Sequence, residues 1–371
     1  MFNIPMTLLE SMILVLFCVF LIRERFLLDR KGKGVSQYAL TFPVLLFLLS
    51  ATVAVILSPD LRAALGQWKA YFIEPILFFW VFIKTIRTEK NIRGVFITLG
   101  ILSFYLALYG LLQYAFSWIP APWNQGDLRI TSFYPYPNAL SLVVTPILGA
   151  YLVLFARNIP LFSSFFLDRF WKITVLAFTS AALFLSGSDG GALALMAGMC
   201  SLGAFILMRE KNRFSKNYFL FIPALIVFLV FAGARISVDP STDVRHKLWI
   251  GSWKMIADHP IEGFGLGGFS RNYEKYKLPE HTEILLYPHQ LFFNFWIEMG
   301  LLGMVSFILL VVFFCVFCWP SIRAEKSPFI LPVFIMMLVL LAHGMVDVAY
   351  FKNDLAVLFW VVYGLGMTSK T

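Results

Sequence analysis

The sequence has little charge. Asp, Glu, Lys and Arg make up 14% of its 371 residues, against about 25% in an ordinary soluble domain. Hydrophobic residues make up 60% and recur in long, unbroken runs, whereas a transmembrane β-barrel would show alternating stretches of about ten residues. Because a bilayer core of about 30 Å requires about 20 apolar residues per helix, the predicted fold class is all-α, a polytopic membrane helix bundle with one large external loop.

About eleven runs are long enough to be read as transmembrane helices. They cover approximately residues 6–22, 38–57, 68–83, 94–116, 138–155, 173–185, 192–208, 218–234, 293–318, 329–341 and 355–367. The sequence therefore predicts three parts: N-terminal transmembrane helices in residues 1–236, an external loop domain in residues 237–290, and C-terminal transmembrane helices in residues 291–371.

Cysteine and clustered carboxylates are also scarce. All four cysteines lie in apolar runs, which indicates small packing residues and excludes a disulfide framework. The CxxC spacing of Cys315 and Cys318 falls within a predicted span, with no histidine or second cysteine pair nearby. No DxD-like pair offers ligands for Mg²⁺, so we expect no metal and no cofactor.

Acidic residues are outnumbered by basic ones, 21 against 30. The basic residues collect in alternate short connectors, which the positive-inside rule assigns to the cytoplasm, so we expect a protein of the cytoplasmic (inner) membrane with no nucleic-acid partner. The loop with Arg129, the turn with Asp189, residues 237–290 and the corner with Asp347 then share the external face.

Polar chemistry is concentrated in residues 237–290, which we call the island. Four of the five histidines lie there: His246, His259, His281 and His289. An unperturbed imidazole titrates near pH ~6.5, so a neutral His289 could act as a general base. Alternatively, His289 only marks the water interface.

The island also contains a GxGxxG sequence, Gly263 to Gly268. A dinucleotide site would need a preceding strand, but residues 244–257 are predicted as an amphipathic helix with Leu248, Trp249, Trp253 and Ile256 on one broad side. We therefore interpret the glycines as a turn that follows a helix.

Several charged residues have two interpretations. Arg129, Arg245 and Lys247 could bind phosphate or could simply be solvated or face lipid headgroups. Asp189, Asp347 and Asp354 flank predicted spans, where ionisable groups are candidates for function, but each could instead cap a helix end.

Taken in order, these residues resemble motifs of the O-antigen ligase and O-antigen polymerase superfamily. His289-Gln290, nine residues, Gly300, two residues and Gly303 fit the family pattern of His, then Asn, Ser or Gln, at that spacing. The other matches are Arg129 with Phe133, Pro137-Asn138, Arg245 to Trp249 (Arg-x-x-Leu-Trp), Pro260 to Gly265 (Pro-x-x-Gly-x-Gly), and the corner His343 to Asp347.

The resemblance implies transfer of a glycan from an undecaprenyl-diphosphate-linked donor to the hydroxyl of a glycan or glycolipid acceptor. His289 would be the general base, and Arg245, alone or together with Arg129, would stabilise the leaving diphosphate. The transfer would invert the anomeric centre and need no metal. Ligase and polymerase share this architecture and differ in the acceptor, so both stay open. The residues expected to bind substrate are Arg129, Asn138, Asp189, Gln290 and Asp347.

In one place the chain departs from the family. Members commonly have Ser-Arg-Gly between the sixth and seventh runs, where this chain has Ser188-Asp189-Gly190. Either Arg129 substitutes for that arginine or the donor binds differently. The alternative function is a polysaccharide or lipid-linked oligosaccharide transporter without catalytic chemistry, but the sequence lacks the internal repeats with interrupted helices that are typical of transporters.

Overall fold

The structure, a computed structural model, describes residues 7–26, 37–116, 129–209, 241–281 and 285–368. These residues form helices and loops without a strand, so the predicted all-α class is confirmed. The α-helices are α1 Leu8–Phe26, α2 Gln37–Ile56, α3 Leu61–Trp68, α4 Glu74–Thr85, α5 Glu89–Ala115, α6 Pro137–Ala156, α7 Phe165–Ser186, α8 Asp189–Arg209, α9 Ser241–Asp258, α10 Gly268–Asn272, α11 Leu291–Arg323, α12 Ile330–Gly344 and α13 Asn353–Thr368. A π-helix, Lys69–Ile73, joins α3 to α4, and a 3₁₀-helix, Tyr273–Lys275, follows α10.

Ten of the eleven apolar runs coincide with helices, and the run at residues 218–234 lies outside the described residues. By length and apolar composition, four of the described helices could cross a membrane: α5, α6, α7 and α11. Three shorter apolar segments accompany them, residues 42–56 of α2, α12 and α13. The count of about eleven crossings stays a prediction.

The helices form two compact units, and the first is built around α6. It comprises residues 86–239, 320–343 and 368–371, as far as these are described, and almost every residue of α6 is buried in it. The Tyr151 hydroxyl donates to the Phe96 carbonyl (2.8 Å) and accepts from Trp171 Nε1 (3.1 Å). The Tyr151 hydroxyl is thus paired inside this apolar bundle, where an unpaired polar group is costly.

The second unit comprises residues 1–85, 240–319 and 344–367, and packed aromatic rings form its core. The buried Phe47 ring lies 5.3 Å from Phe72, 5.6 Å from Phe295 and 5.7 Å from Tyr350. Tilted and edge-on arrangements such as these are favoured by the ring quadrupoles. The core holds α2, the π-helix, α11 and the corner before α13 together.

Within that unit the island has a small core of its own, formed by α9, α10 and α11. Its buried residues are Leu248, Met255, Ile256, Phe269, Tyr273 and Ile297. The amphipathic helix predicted at residues 244–257 is α9, in which Leu248 and Ile256 are buried whereas Trp253 is 54% exposed. One side of α9 therefore has two parts, a buried strip through Leu248 and an outward-facing tryptophan.

Helix α11 is interrupted at Gly300, whose backbone angles are φ 66° and ψ −173°. The interruption removes helical hydrogen bonds, and the island replaces them. The Phe264 N–H donates to the Ile297 carbonyl (2.7 Å), and the Leu301 N–H donates to the Ile261 carbonyl (3.0 Å). The glycine-rich turn is therefore attached to a candidate membrane span through its main chain.

Two glycines permit this close approach. A Cβ on Gly263 would collide with the Ile297 and Trp296 carbonyls, and a Cβ on Gly300 would collide with the Ile261 and Glu262 carbonyls. Both glycines also have positive φ, which other residues adopt only at a cost. The GxGxxG sequence thus follows helix α9 and packs against the main chain of α11. This agrees with its interpretation as a turn after a helix.

The carboxylate of Glu298 secures the end of the same turn. It accepts the Phe269 N–H at 3.0 Å and also the Gly267 N–H, at the start of α10. Glu298 is 3% exposed and lies in the apolar helix α11, so these two donors supply the partners that a buried carboxylate requires.

We predict that Gly263→Ala will destabilise the protein. The new Cβ would clash with backbone atoms and the positive φ would be strained, with a combined cost above about 1–2 kcal/mol. Thermal unfolding in detergent will measure the loss. Gly94→Ala, in α5 with open space around the new methyl group, is the matched control and should be neutral or stabilising, since alanine favours helix by about 1 kcal/mol. Equal midpoints for the two variants would contradict the role of Gly263.

Candidate active site

His289 lies at the end of the island, just before α11, and pairs with Asp347. Its Nδ1 is 3.0 Å from Asp347 Oδ1, and its side chain is 26% exposed, against 7% for the carboxylate. The same Oδ1 accepts the Val348 N–H at 2.8 Å. A half-open imidazole backed by a buried carboxylate can accept a proton on its other nitrogen.

The backbone of His289 adopts a left-handed conformation, with φ 46°. Such a conformation is uncommon outside glycine, although histidine tolerates it better than most residues. Strain of this kind costs about 1–3 kcal/mol and persists where surrounding structure imposes it. Here Pro288 precedes it and is buried, and α11 begins two residues later at Leu291.

The corner that carries Asp347, residues 345–352 between α12 and α13, is held by tyrosine hydroxyls. Tyr350 donates to the Tyr71 carbonyl in the π-helix at 2.8 Å. Tyr287, two residues before the candidate histidine, donates to the Phe351 carbonyl at 3.3 Å. These bonds connect the histidine loop, the corner and the π-helix, so the geometry of the pair is imposed from several helices.

Lys352 contributes a positive charge near Asp347. It is not among the site residues predicted from the sequence. Burial lowers the pKa of its ammonium group, while Asp347 and Asp354 act in the opposite direction. Lys352 could have been predicted as a neighbour of Asp347, because the two residues are five positions apart in one short corner.

Gln290 and Arg245 occupy helix ends. Gln290 is 8% exposed, and its Oε1 accepts the Phe293 N–H at 2.5 Å, so it caps the start of α11. Arg245 is half-buried in α9, three residues before Leu248, which is fully buried in the island core. Leu248 thereby fixes the orientation of the helix that carries the arginine.

In the other unit, Arg129 and Asn138 are in contact. The guanidinium donates to Asn138 Oδ1 at 3.1 Å, to the Ser186 carbonyl at 2.7 Å and to the Gly187 carbonyl at 3.1 Å. Gly187 ends α7 with φ 58°. Arg129 therefore binds the carbonyl end of α7, where a cation is favoured by the helix dipole.

Asp189 is the first residue of α8, directly after that turn. The capping role considered for it belongs to Ser188, whose hydroxyl accepts the Gly191 N–H at 3.3 Å. The Asp189 side chain is half-buried in the first helical turn, a position that favours negative charge.

His281, the nearest island histidine in sequence before His289, is structural. It is 2% exposed, and its Nδ1 lies 2.7 Å from the Tyr273 hydroxyl. Burial raises the pKa of Tyr273 to about 12, so the hydroxyl stays protonated in this hydrogen bond. His259, by contrast, pairs with Glu262 (2.7 Å) at the surface.

The structure thus brings together two pairs of predicted site residues, His289 with Asp347 and Arg129 with Asn138, each within its own unit. The sharing of one membrane face by Arg129, Asp189, Arg245 and His289 stays a prediction. Among the described residues, no group of three or more His, Cys, Asp or Glu side chains could hold a metal ion.

Comparison with known families supports the resemblance drawn from the motifs. A family model described as O-antigen ligase matches residues 174–308, a little over a third of the chain. This region contains Asp189, Arg245, His289 and Gln290. No curated protein matches the chain. The chain is therefore similar to the O-antigen ligase superfamily, as the spacing from His289 to Gly303 predicted.

We predict that Arg129→Lys will destabilise the unit built around α6. An ammonium group cannot reach all three acceptors of the planar guanidinium, and a buried acceptor left without its donor costs about 1–3 kcal/mol. The thermal unfolding midpoint of the purified protein will report the loss. Arg157→Lys is the matched control, because Arg157 pairs with the exposed Glu325 (3.0 Å) and such surface pairs contribute about 0–1 kcal/mol. If the two variants unfold together, Arg129 does not hold the turn.

Proposed function

We propose that the chain is an inverting membrane glycosyltransferase of the O-antigen ligase or polymerase type. It moves a glycan from an undecaprenyl-diphosphate-linked donor to an acceptor hydroxyl. The observation that carries this proposal is the contact between His289 and Asp347, which joins two motifs of the superfamily that are 58 residues apart. Membrane placement follows from the apolar helices, and the external face of the inner membrane is the expected location.

In the proposed reaction His289 is the general base. Its Nδ1–H donates to Asp347, so Nε2 carries the free electron pair and takes the proton of the acceptor hydroxyl. The oxygen of that hydroxyl attacks the anomeric carbon, and the bond between this carbon and the diphosphate oxygen breaks. The lipid diphosphate leaves with the electron pair, and attack from the opposite side inverts the centre.

Asp347 has two roles in this reaction. It fixes the tautomer and orientation of the imidazole, and its negative charge stabilises the imidazolium that forms when the proton is taken, as carboxylates do beside catalytic histidines. Lys352 balances part of the charge of Asp347 and Asp354. One ammonium against two carboxylates leaves a net negative charge at the corner before the reaction, which favours the imidazolium that forms.

The leaving diphosphate requires positive charge, and two arginines are proposed to supply it. Arg245 lies on α9 in the island. Arg129 binds the Ser186 and Gly187 carbonyls, immediately before the Ser188-Asp189-Gly190 sequence that lacks the usual family arginine. This contact supports substitution of Arg129 for the missing side chain. Asn138 would orient Arg129, and Gln290 would orient the start of α11 beside the substrate.

A transporter without catalytic chemistry is the rival function. It transfers no proton from an acceptor hydroxyl and has no leaving group to stabilise, so it gives the imidazole and the carboxylate behind it no catalytic role. It would also gain nothing from a histidine held in a left-handed conformation. Transfer and transport are separated by whether loss of the His289 imidazole abolishes product formation.

We predict that His289→Ala will lose most transfer activity, by about 10²- to 10⁴-fold, because general-base catalysis contributes that much. The assay is product formation from a lipid-linked donor and an acceptor, with donor binding measured in parallel and expected to stay nearly intact. Asp347→Asn should also be damaging, since the amide carries no charge for the imidazolium. His259→Ala is the control in the same island and should remain active.

Arg245 provides the companion test. Arg245→Lys keeps the charge but loses the fork that binds two oxygens, so transfer should fall, and Arg245→Ala should weaken donor binding as well. Near wild-type transfer by His289→Ala would remove the histidine from the mechanism. Equal tolerance of Arg245→Ala would leave the transporter as the better interpretation.

We also predict that chelators will leave transfer intact. The diphosphate is already a good leaving group, and the arginines can stabilise its charge electrostatically. Activity is compared before and after incubation of the purified enzyme with EDTA and dialysis. Loss of activity that Mg²⁺ or Mn²⁺ restores would instead favour a mechanism in which Asp189 or Asp347 binds metal.

A further inference from the structure

A stripe of exposed apolar side chains runs along α11. Its members are Val305, Val312, Val316 and Trp319, which are 40%, 46%, 66% and 43% exposed. They are spaced by seven, four and three residues, which places them on one side of a helix. Because α11 is long and apolar enough to cross a membrane, this stripe is its lipid-facing side.

Two tryptophans mark the ends of that lipid-facing region. Trp296 lies in the second turn of α11 and is half-buried, and Trp319 lies near its end. From the break at Gly300 to Trp319 the helix is about 28 Å long, and a bilayer core is about 30 Å thick. Tryptophan is enriched at both membrane interfaces, so the pair fits the two boundaries of the hydrocarbon.

The island is attached to α11 on both sides of the break at Gly300. The Trp296 indole N–H donates to the Pro260 carbonyl at 2.7 Å, and the Ile261 carbonyl accepts from Leu301, more than one turn nearer to Trp319. Ile261 is 71% exposed, and Leu301 is 40% exposed. The exposed side chain of Ile261 is therefore tied by its backbone to the lipid-facing part of the span.

The side of α9 that faces outward continues this surface. Trp253 is 54% exposed and packs edge-on against Trp296, with ring centroids 6.2 Å apart. Lys254 is the next residue and is also exposed. An aromatic ring with a neighbouring lysine is suited to the boundary, where the ring enters the apolar region and the ammonium reaches the headgroups.

We propose that the edge of the island formed by Trp253, Pro260 and Ile261 is inserted into the leaflet on its own side of the membrane, with acyl chains around Ile261. The surface is continuous with the lipid-facing side of α11, which identifies the bilayer as the occupant. The inference rests on the membrane placement of α11 and not on glycan transfer. Insertion would hold His289, seven residues before Trp296, at about the level of the headgroups.

Site-directed spin labelling in liposomes of phosphatidylethanolamine and phosphatidylglycerol, without polyprenyl lipid, tests the insertion. The label is attached at Ile261→Cys in a full chain whose native cysteines Cys18, Cys200, Cys315 and Cys318 are replaced by alanine. Collision rates with O₂, which partitions into lipid, are compared with those of a water-soluble nickel chelate. Val312→Cys serves as the reference in the membrane, and Lys275→Cys, exposed on the same island, serves as the reference in water.

The label at Ile261 should favour O₂ as the label at Val312 does, and the label at Lys275 should favour the nickel chelate. Trp253→Cys, labelled in the same way, should give an intermediate depth and provides a second position if Ile261→Cys is poorly produced. Preference of the Ile261 label for the nickel chelate would overturn the proposal. Shielding from both reagents would also overturn it, because it would indicate a second copy of the chain on this surface.

Discussion

The break in α11 at Gly300 is the constraint on which the rest of the island depends. Inside a membrane every backbone polar group needs an internal partner, and a broken helix exposes a carbonyl at Ile297 and an N–H at Leu301. The main chain of the glycine-rich turn supplies both partners, and it can approach closely enough because Gly263 and Gly300 have no side chains. The GxGxxG sequence therefore attaches the island to α11 through main-chain hydrogen bonds. The number of residues between it and His289 limits how far the histidine can lie from this attachment.

The second determinant is a set of paired polar groups that connects the candidate site to the start of the chain. Glu10 of α1 is 4% exposed and accepts from Lys69 (3.1 Å) and from Asn353 (2.8 Å). Asn353 begins α13, next to Lys352 in the corner that carries Asp347. Charges are tolerated in an apolar bundle when they are paired, and here the pairing ties α1 to the corner although α1 lies outside the region that the family model matches.

Much of the fold was predictable because a segment that crosses lipid needs apolar side chains and must also pair its own main-chain polar groups, which a helix does. His289 and Asp347 were predictable as candidates from motif spacing, but their contact was not, since it depends on how α11 and the corner before α13 pack. Periodicity placed Trp253 on the apolar side of α9 but could not show that it is exposed, because periodicity does not tell which apolar side chains a neighbouring element covers. Arg129 was selected for phosphate, whereas its contacts with Ser186 and Gly187 depend on the fold. The structural role of His281 also required knowledge of its partner, Tyr273.

The low charge of the chain is consistent with chemistry at a membrane surface. The proposed donor, anchored by a polyprenyl tail, would already lie in the plane of the headgroups, so its diphosphate would not have to be captured from bulk water. The membrane would then supply the high local concentration of donor, and the protein would mainly have to orient it. Under the proposed function a few rigidly held groups would suffice. They are the imidazole of His289 on a strained loop residue, the buried carboxylate of Asp347 behind it, and an arginine such as Arg129, whose donors are fixed by the end of a helix.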